Sequence, residues 1–240
     1  IVLVPVLFQL FLYLGYSPDL AMHVAVGTSL AAILPTGYSS ARAHDRKGGV
    51  DYALLKRMAP ATALGAALGA LLAPVFGGRA LTAFFAVFAS VIALQMMRGG
   101  KGIAIAKAVP ADWRCYGLGG GIGFVSSLLG IGGGTLSVPT FAAAGYAMPV
   151  AVGTGAALGI AIAAPGAVGM IFAGWGQMGL PPYSLGYVNL LALLVIAPLS
   201  ALLAPVGARM SHRLPELWLK RSFAVLLLIV AVRMVFKALP

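Results

Sequence analysis

The chain has 240 residues, 61% of them hydrophobic and 9% charged, with a mean hydropathy of +1.00. A water-soluble domain is about half apolar and a quarter charged, so this composition excludes one. The formal charge of +11 sits in short basic clusters between apolar runs, where lipid headgroups and the positive-inside rule account for it and no nucleic-acid partner is called for.

A backbone in lipid has to satisfy its own N–H and C=O groups. Apolar runs much longer than the roughly ten residues of a membrane strand therefore mean helices and exclude a β-barrel. In chain order the apolar pattern predicts an arm over 1–15 and spans over about 20–41, 55–76 and 79–97. A basic loop, 98–114, follows, then a glycine-dense segment from Cys115 to Gly145, and spans at about 148–173, 186–208 and 218–237. The layout divides the chain into a first transmembrane repeat (1–97), a basic cytoplasmic linker (98–114) and a second transmembrane repeat (115–240).

Three echoes support an internal duplication. Val4-Pro5 answers Val138-Pro139, Val26-Gly27-Thr28 answers Val152-Gly153-Thr154, and Ala70 to Val75 recurs letter for letter as Ala201 to Val206. Offsets drift from 126 to 134 while the order is kept. The opening arm then corresponds to Thr135–Gly145, and a first arm with its own glycine break is expected to precede Ile1, which makes the first repeat read as N-terminally truncated.

The run from Gly117 to Pro139 cannot be one ordinary helix, because Gly costs about 1 kcal/mol against Ala in a helix interior and Gly132, Gly133 and Gly134 stand in a row. The two pieces either continue as an interrupted span or fold back as a re-entrant hairpin. With loop 42–57 in the cytoplasm, folding back places thirteen Lys and Arg inside and three outside (Arg79, Arg233 and Lys237), whereas the continuous span gives eleven and five. The larger bias favours re-entrant hairpins in inverted repeats. The fold class expected is thus an all-α integral membrane protein, a polytopic helical bundle of two pseudo-symmetric, inverted repeats with glycine-broken helices.

Backbone amides exposed at a helix start bind anions, since the first N–H groups are unpaired and the helix dipole adds positive charge. Gly132, Gly133, Gly134 and Thr135 form the candidate cradle, with Ser126, Ser127 and Ser137 near it and Pro139 and its echo Pro5 flanking. The competing reading is close helix packing, as for Gly65/Gly69 and Gly117/Gly121. Thr28, Ser29 and Thr154 place hydroxyls inside apolar spans, either as a paired substrate site or bonded back to their own helices. Asn189, early in its span, is either a substrate donor or an interhelical tie. His23 is an intramembrane ionisable group with a role such as proton coupling, or an interfacial residue near its helix end.

Asp45, Asp51, Asp112 and Glu216 fall in or beside basic loops and Asp19 at a span start. With no carboxylate left in the membrane, the substrate is expected to be anionic or neutral. The single Cys115 forms no intramolecular disulfide, no Cys/His cluster has metal spacing, and neither a metal nor a cofactor is expected. His44 and His212 sit in basic loops away from any buried serine nucleophile, and the glycine run lacks phosphate-loop and dinucleotide spacing, so an enzyme is not expected.

With Gly130-Ile131-Gly132-Gly133-Gly134-Thr135-Leu136-Ser137-Val138-Pro139, then Val152-Gly153-Thr154 and Gly186-Tyr187-Val188-Asn189, the sequence resembles the sulfite exporter TauE/SafE family of membrane permeases over nearly its whole length. The resemblance implies movement of small sulfur-containing anions, such as sulfite or organosulfonates, outward across the bacterial inner membrane. Alternating access about a mid-depth site is the implied mechanism. An uncoupled anion channel and a non-transporting scaffold are the alternatives. The expected partners are a small anionic substrate and the lipid bilayer, and a homo-oligomer through the small-residue faces stays open.

Overall fold

The computed structural model describes residues 2–97, 109, 112–200 and 224–234. It is helical almost throughout, as expected for an all-α membrane protein. The helices are α1 (Leu3–Tyr13), α2 (Pro18–Asp45), α3 (Tyr52–Leu72), α4 (Gly77–Met97), α5 (Trp113–Leu128), α6 (Gly133–Ala143) and α7 (Met148–Ala173), followed by α8 (Leu190–Ser200) and α9 (Ala224–Met234). A short 3-10 turn, Ala73–Phe76, joins α3 to α4, and a two-stranded ribbon, β1 (Ser184–Leu185) against β2 (Val188–Asn189), precedes α8. By length and composition Pro18–Asp45, Tyr52–Leu94 and Met148–Ala173 are able to cross a membrane.

Local chemistry sets the boundaries. Ser17 caps α2 by accepting the Leu20 N–H, with Pro18 in the first position, where its missing donor costs nothing. Asp51 caps α3 through the Leu54 N–H at 3.0 Å. Helix ends recur in one form: Gly15, Gly48, Gly130 and Gly145 have positive φ, and the next residue's N–H reaches back five positions, as in Tyr16 to Phe11 and Tyr146 to Phe141. A side chain is disfavoured at that left-handed position, so glycine marks the stop.

Close glycine contacts give the helix directions. Along α2 and α7, Gly27 meets Met170, Gly37 meets Ile160 and His44 meets Gly153, so the two pack antiparallel. Along α3 and α5, Met58 meets Gly119, Thr62 meets Gly123 and Gly69 meets Ser127, so these run parallel. Gly133 at the start of α6 lies against Gly155 and Gly159, and the turn at Gly145 returns α6 into α7. Thus α5 enters from the end of the molecule that holds Asp51 and stops partway. There Gly130 touches Val26, Gly132 faces Ile33, and α6 goes back to the same end. The segment folds back as a hairpin whose tip reaches the middle of α2.

Three details differ from the sequence-based expectation. The break falls at 129–132, not at Gly132–Gly134: Gly133 and Gly134 begin α6, where unpaired N–H groups make glycine cheap, while Gly130 takes the left-handed position. Gly65 and Gly69 do pack against α5, but nothing lies within 4 Å of a methyl placed on Gly117 or Gly121. Those two line an apolar groove of about 440 Å³ between α3 and α5. Asn189 precedes its helix rather than lying in it: its Oδ1 accepts the Ala192 N–H at 2.8 Å, so the predicted span at 186 begins at Leu190. The repeat of Ala201 to Val206, the cluster from Arg209 to Arg221, and most of the 98–114 linker lie outside the described residues.

Candidate functional site

The hairpin tip is built by residues distant in sequence. Gly130 is held between α1 and α2: a methyl on it would lie 2.9 Å from both Val4 Cγ2 and Val26 Cα. The Ser29 hydroxyl donates to the Gly130 carbonyl at 2.7 Å in a buried bond. Beyond it, Gly132 is extended (φ −72°, ψ 162°) and no side chain caps α6. Thr135 N–H bends to Gly132 O at 3.3 Å, which leaves Gly133 and Gly134 as the amide donors at the helix start. A methyl on Gly133 would come 2.5 Å from Gly159 N, whereas Gly134 is exposed, with only Val138 at 4.0 Å from such a methyl.

Ser137, one turn along α6, is buried with its hydroxyl unpartnered, as is Ser126 on α5. Ser127 is spent on the Phe124 carbonyl at 3.2 Å. Pro5 is buried in α1 beside Val4, Thr135 is partly covered, and Pro139 is exposed. Gly132, Gly133, Gly134, Thr135, Ser137 and Ser29 therefore gather around the tip, and Pro5 follows Val4, which touches Gly130. Of the four described carboxylates, Asp19, Asp45 and Asp51 border ends of α2 and α3, and Asp112 caps the start of α5, so none stands at the tip.

Thr28, Thr154 and Asn189 are drawn into a different arrangement. Thr154 accepts the Asp51 N–H at 2.9 Å, and Thr28 accepts the Asn189 N–H at 2.9 Å. One residue before each threonine, Gly153 presses on the Gly49 carbonyl and Gly27 on the Tyr187 carbonyl. Each Val-Gly-Thr unit is thus a clamp: glycine admits the neighbouring backbone and threonine takes its N–H. The two clamps are reciprocal, the first gripping the start of α8 and the second the start of α3. Asn189 is fully engaged, with Nδ2 on Pro182 O and Ser184 Oγ, both at 2.9 Å, and Oδ1 on α8.

Sequence reading missed Asp51 as the partner of Thr154. The signal was present: Gly48-Gly49-Val50-Asp51 echoes Gly186-Tyr187-Val188-Asn189, with Gly48 and Gly186 both at positive φ. Asp19, placed at the start of α2, caps α4 by accepting Gly78 and Arg79 N–H at 2.6 and 3.2 Å. Among the described residues no three His, Cys, Asp or Glu side chains converge as a metal group.

Residues 1–234 match the family described as sulfite exporter TauE/SafE. The chain is 32% identical over 239 residues to a probable membrane transporter protein of Haemophilus influenzae, covering 99% of this chain and 90% of that one. It is 31% identical over 157 residues to the probable membrane transporter protein YunE of Bacillus subtilis, covering 58% of each, and 30% identical over 126 residues to a probable membrane transporter protein of Xylella fastidiosa, covering 51% of this chain and 48% of that one. No solved structure matches the chain. A fold-back hairpin with an uncapped helix start inside a helical membrane bundle fits this kinship: the chain belongs to the sulfite exporter TauE/SafE family of membrane transporters.

Proposed function

We propose that this membrane transporter is a multi-pass permease of the bacterial inner membrane that exports a small sulfur-containing anion of the sulfite or organosulfonate class. The observation that carries this reading is the start of α6: two uncapped glycine amides at the hairpin tip, beside Ser137 and among α1, α2 and α7, with no described carboxylate near. Amides and a helix dipole hold an oxyanion by partial charges, so binding does not become too tight for release. Two inverted repeats supply alternating access around it. The antiparallel packing of the corresponding helices α2 and α7, and the matched Phe-x-x-x-Gly-Tyr turns ending α1 and α6, support that symmetry.

The test is radiolabelled sulfite flux into proteoliposomes, wild type against Gly134→Leu. A leucine there meets open space, so the fold survives while the cradle is filled. Losing a hydrogen bond to a charged ligand costs about 1.5–3 kcal/mol, an affinity drop of about ten- to a hundredfold. Saturable wild-type flux, cut by this factor in the variant at unchanged melting temperature, supports the reading. Non-saturating currents would mean a channel, and absence of flux for sulfite, sulfoacetate and thiosulfate alike would overturn the substrate class.

A further inference from the structure

His23 is a buried ionisable side chain that the anion cradle does not use. It is 5% exposed, and both ring nitrogens face backbone carbonyls: Nδ1 lies 2.7 Å from Asp19 O and Nε2 lies 3.1 Å from Ala73 O. A neutral imidazole carries one N–H and one lone pair. In either tautomer one nitrogen would then present a lone pair to a carbonyl oxygen, whereas the doubly protonated ring donates to both. The ring also stacks on Tyr187, with centroids 5.0 Å apart and planes 28° apart, a geometry in which a cationic ring is stabilised by the aromatic face.

The charged and titratable groups around it are few. On its own helix, Asp19 has its carboxylate on the amides that open α4. From α4 comes Arg79, whose N–H is one of those amides, and from the ribbon before α8 comes Tyr187. The turn Ala73–Phe76 brings a carbonyl but no titratable side chain.

We infer that His23 is a proton-binding site, a latch that in its protonated form ties α2 to the α3–α4 turn and stacks under Tyr187, at the clamp where Gly27 and Thr28 hold the start of α8. The opposite clamp has no equivalent at the matching positions. By the spacing that relates Val26-Gly27-Thr28 to Val152-Gly153-Thr154 the counterpart of His23 is Pro149, and by the match of Gly48-Gly49-Val50-Asp51 to Gly186-Tyr187-Val188-Asn189 that of Tyr187 is Gly49; there the Pro149 carbonyl lies against Gly49. The opposite clamp has its own histidine, His44, against Gly153 and Gly49, but that side chain is only partly buried, so the buried proton site belongs to one end of the molecule. Proton release removes one of the ring's two hydrogen bonds, to Asp19 or to the α3–α4 turn, and weakens its stacking on Tyr187, just ahead of α8. The consequence for flux rests on the permease reading, while the proton site stands by itself.

The test uses the full chain in detergent, with His44→Gln and His212→Gln introduced so that His23 is the sole histidine. Histidine nitrogen NMR is recorded at about pH 5.5 and about pH 8.5, either side of the ordinary imidazole value. The expected result is two protonated ring nitrogens at the lower pH and one at the higher. A neutral ring at the lower pH overturns the proposal. Melting followed by tryptophan fluorescence gives a second reading: wild type and His23→Gln should differ in how their stability changes with pH. Parallel curves for the two would overturn the latch. A titrating ring without sulfite flux would fail the permease reading and keep the proton site, and flux with a neutral ring would do the reverse.

Discussion

A threonine inside an apolar helix usually bonds back to its own backbone, and Thr36 does so, to Ala32 at 3.1 Å. Thr28 and Thr154 do otherwise, and both are fully buried. Replacing either by Val keeps the shape and leaves a backbone N–H at a helix start without its acceptor, at a cost of about 1–3 kcal/mol. In a chain of this size each kcal/mol lowers the melting temperature by about 2–4 °C. Thr→Ser at the same sites should recover most of the loss. Cys115, the single cysteine, is fully buried, so a thiol-reactive dye reports unfolding. Equal melting of Thr→Val and wild type would show that the clamps carry no load. Both Val-Gly-Thr units were legible in the sequence, but their partners lie 103 and 161 residues away, and no local pattern fixes a contact of that range. The substrate role expected of Thr28 and Thr154 now competes with this clamping. Each hydroxyl keeps its own proton to donate, so a Thr→Val variant that melts normally yet loses flux would return them to the site.

At the scale of elements, α5 is the place where composition misleads most. Five glycines in its sixteen residues read as a helix breaker, yet it is continuous from Trp113 to Leu128, because two of the glycines serve packing. Gly123 lies so close to the Thr62 carbonyl that any side chain would overlap it, and Gly119 faces the Thr62 hydroxyl at 3.0 Å from a built methyl. In lipid, where helices gain little from burying apolar surface against each other, such backbone approach is a main source of association. Gly117 and Gly121 face open groove. Two substitutions of the same chemistry should therefore part. Gly123→Ala forces α3 and α5 apart and costs about 1–3 kcal/mol or more, while Gly121→Ala is neutral or gains up to about 1 kcal/mol from helix propensity. The same melting assay checks both, and equal destabilisation would show that α5 does not cross α3 at Gly123. The expected break was displaced by the same competition. Runs of glycine mark where a helix can stop, but the one left-handed residue, Gly130, marks where it does.

For the molecule as a whole, the charge count favours folding back over a continuous span, and α5 and α6 do fold back. What charge could not reveal is that the halves interlock, each gripping the first turn of a helix in the other, because that depends on contacts between the middle of one segment and the end of another. On the proposed permease function, the hairpin tip that reaches the middle of α2 is the point about which access would alternate. Four exposed positions test that topology in a Cys115→Ala background: Lys47→Cys and Met148→Cys, near the Asp51 end, and Leu14→Cys and Gln177→Cys, near the His23 end. In right-side-out vesicles a membrane-impermeant maleimide should label Leu14→Cys and Gln177→Cys directly, and Lys47→Cys and Met148→Cys only after the vesicles are opened. Lys47 belongs to the basic side by charge, so the discriminating position is Met148. A continuous α5–α6 span would carry it to the face of Leu14, and its labelling in intact vesicles would reject the hairpin and with it the cradle at the start of α6.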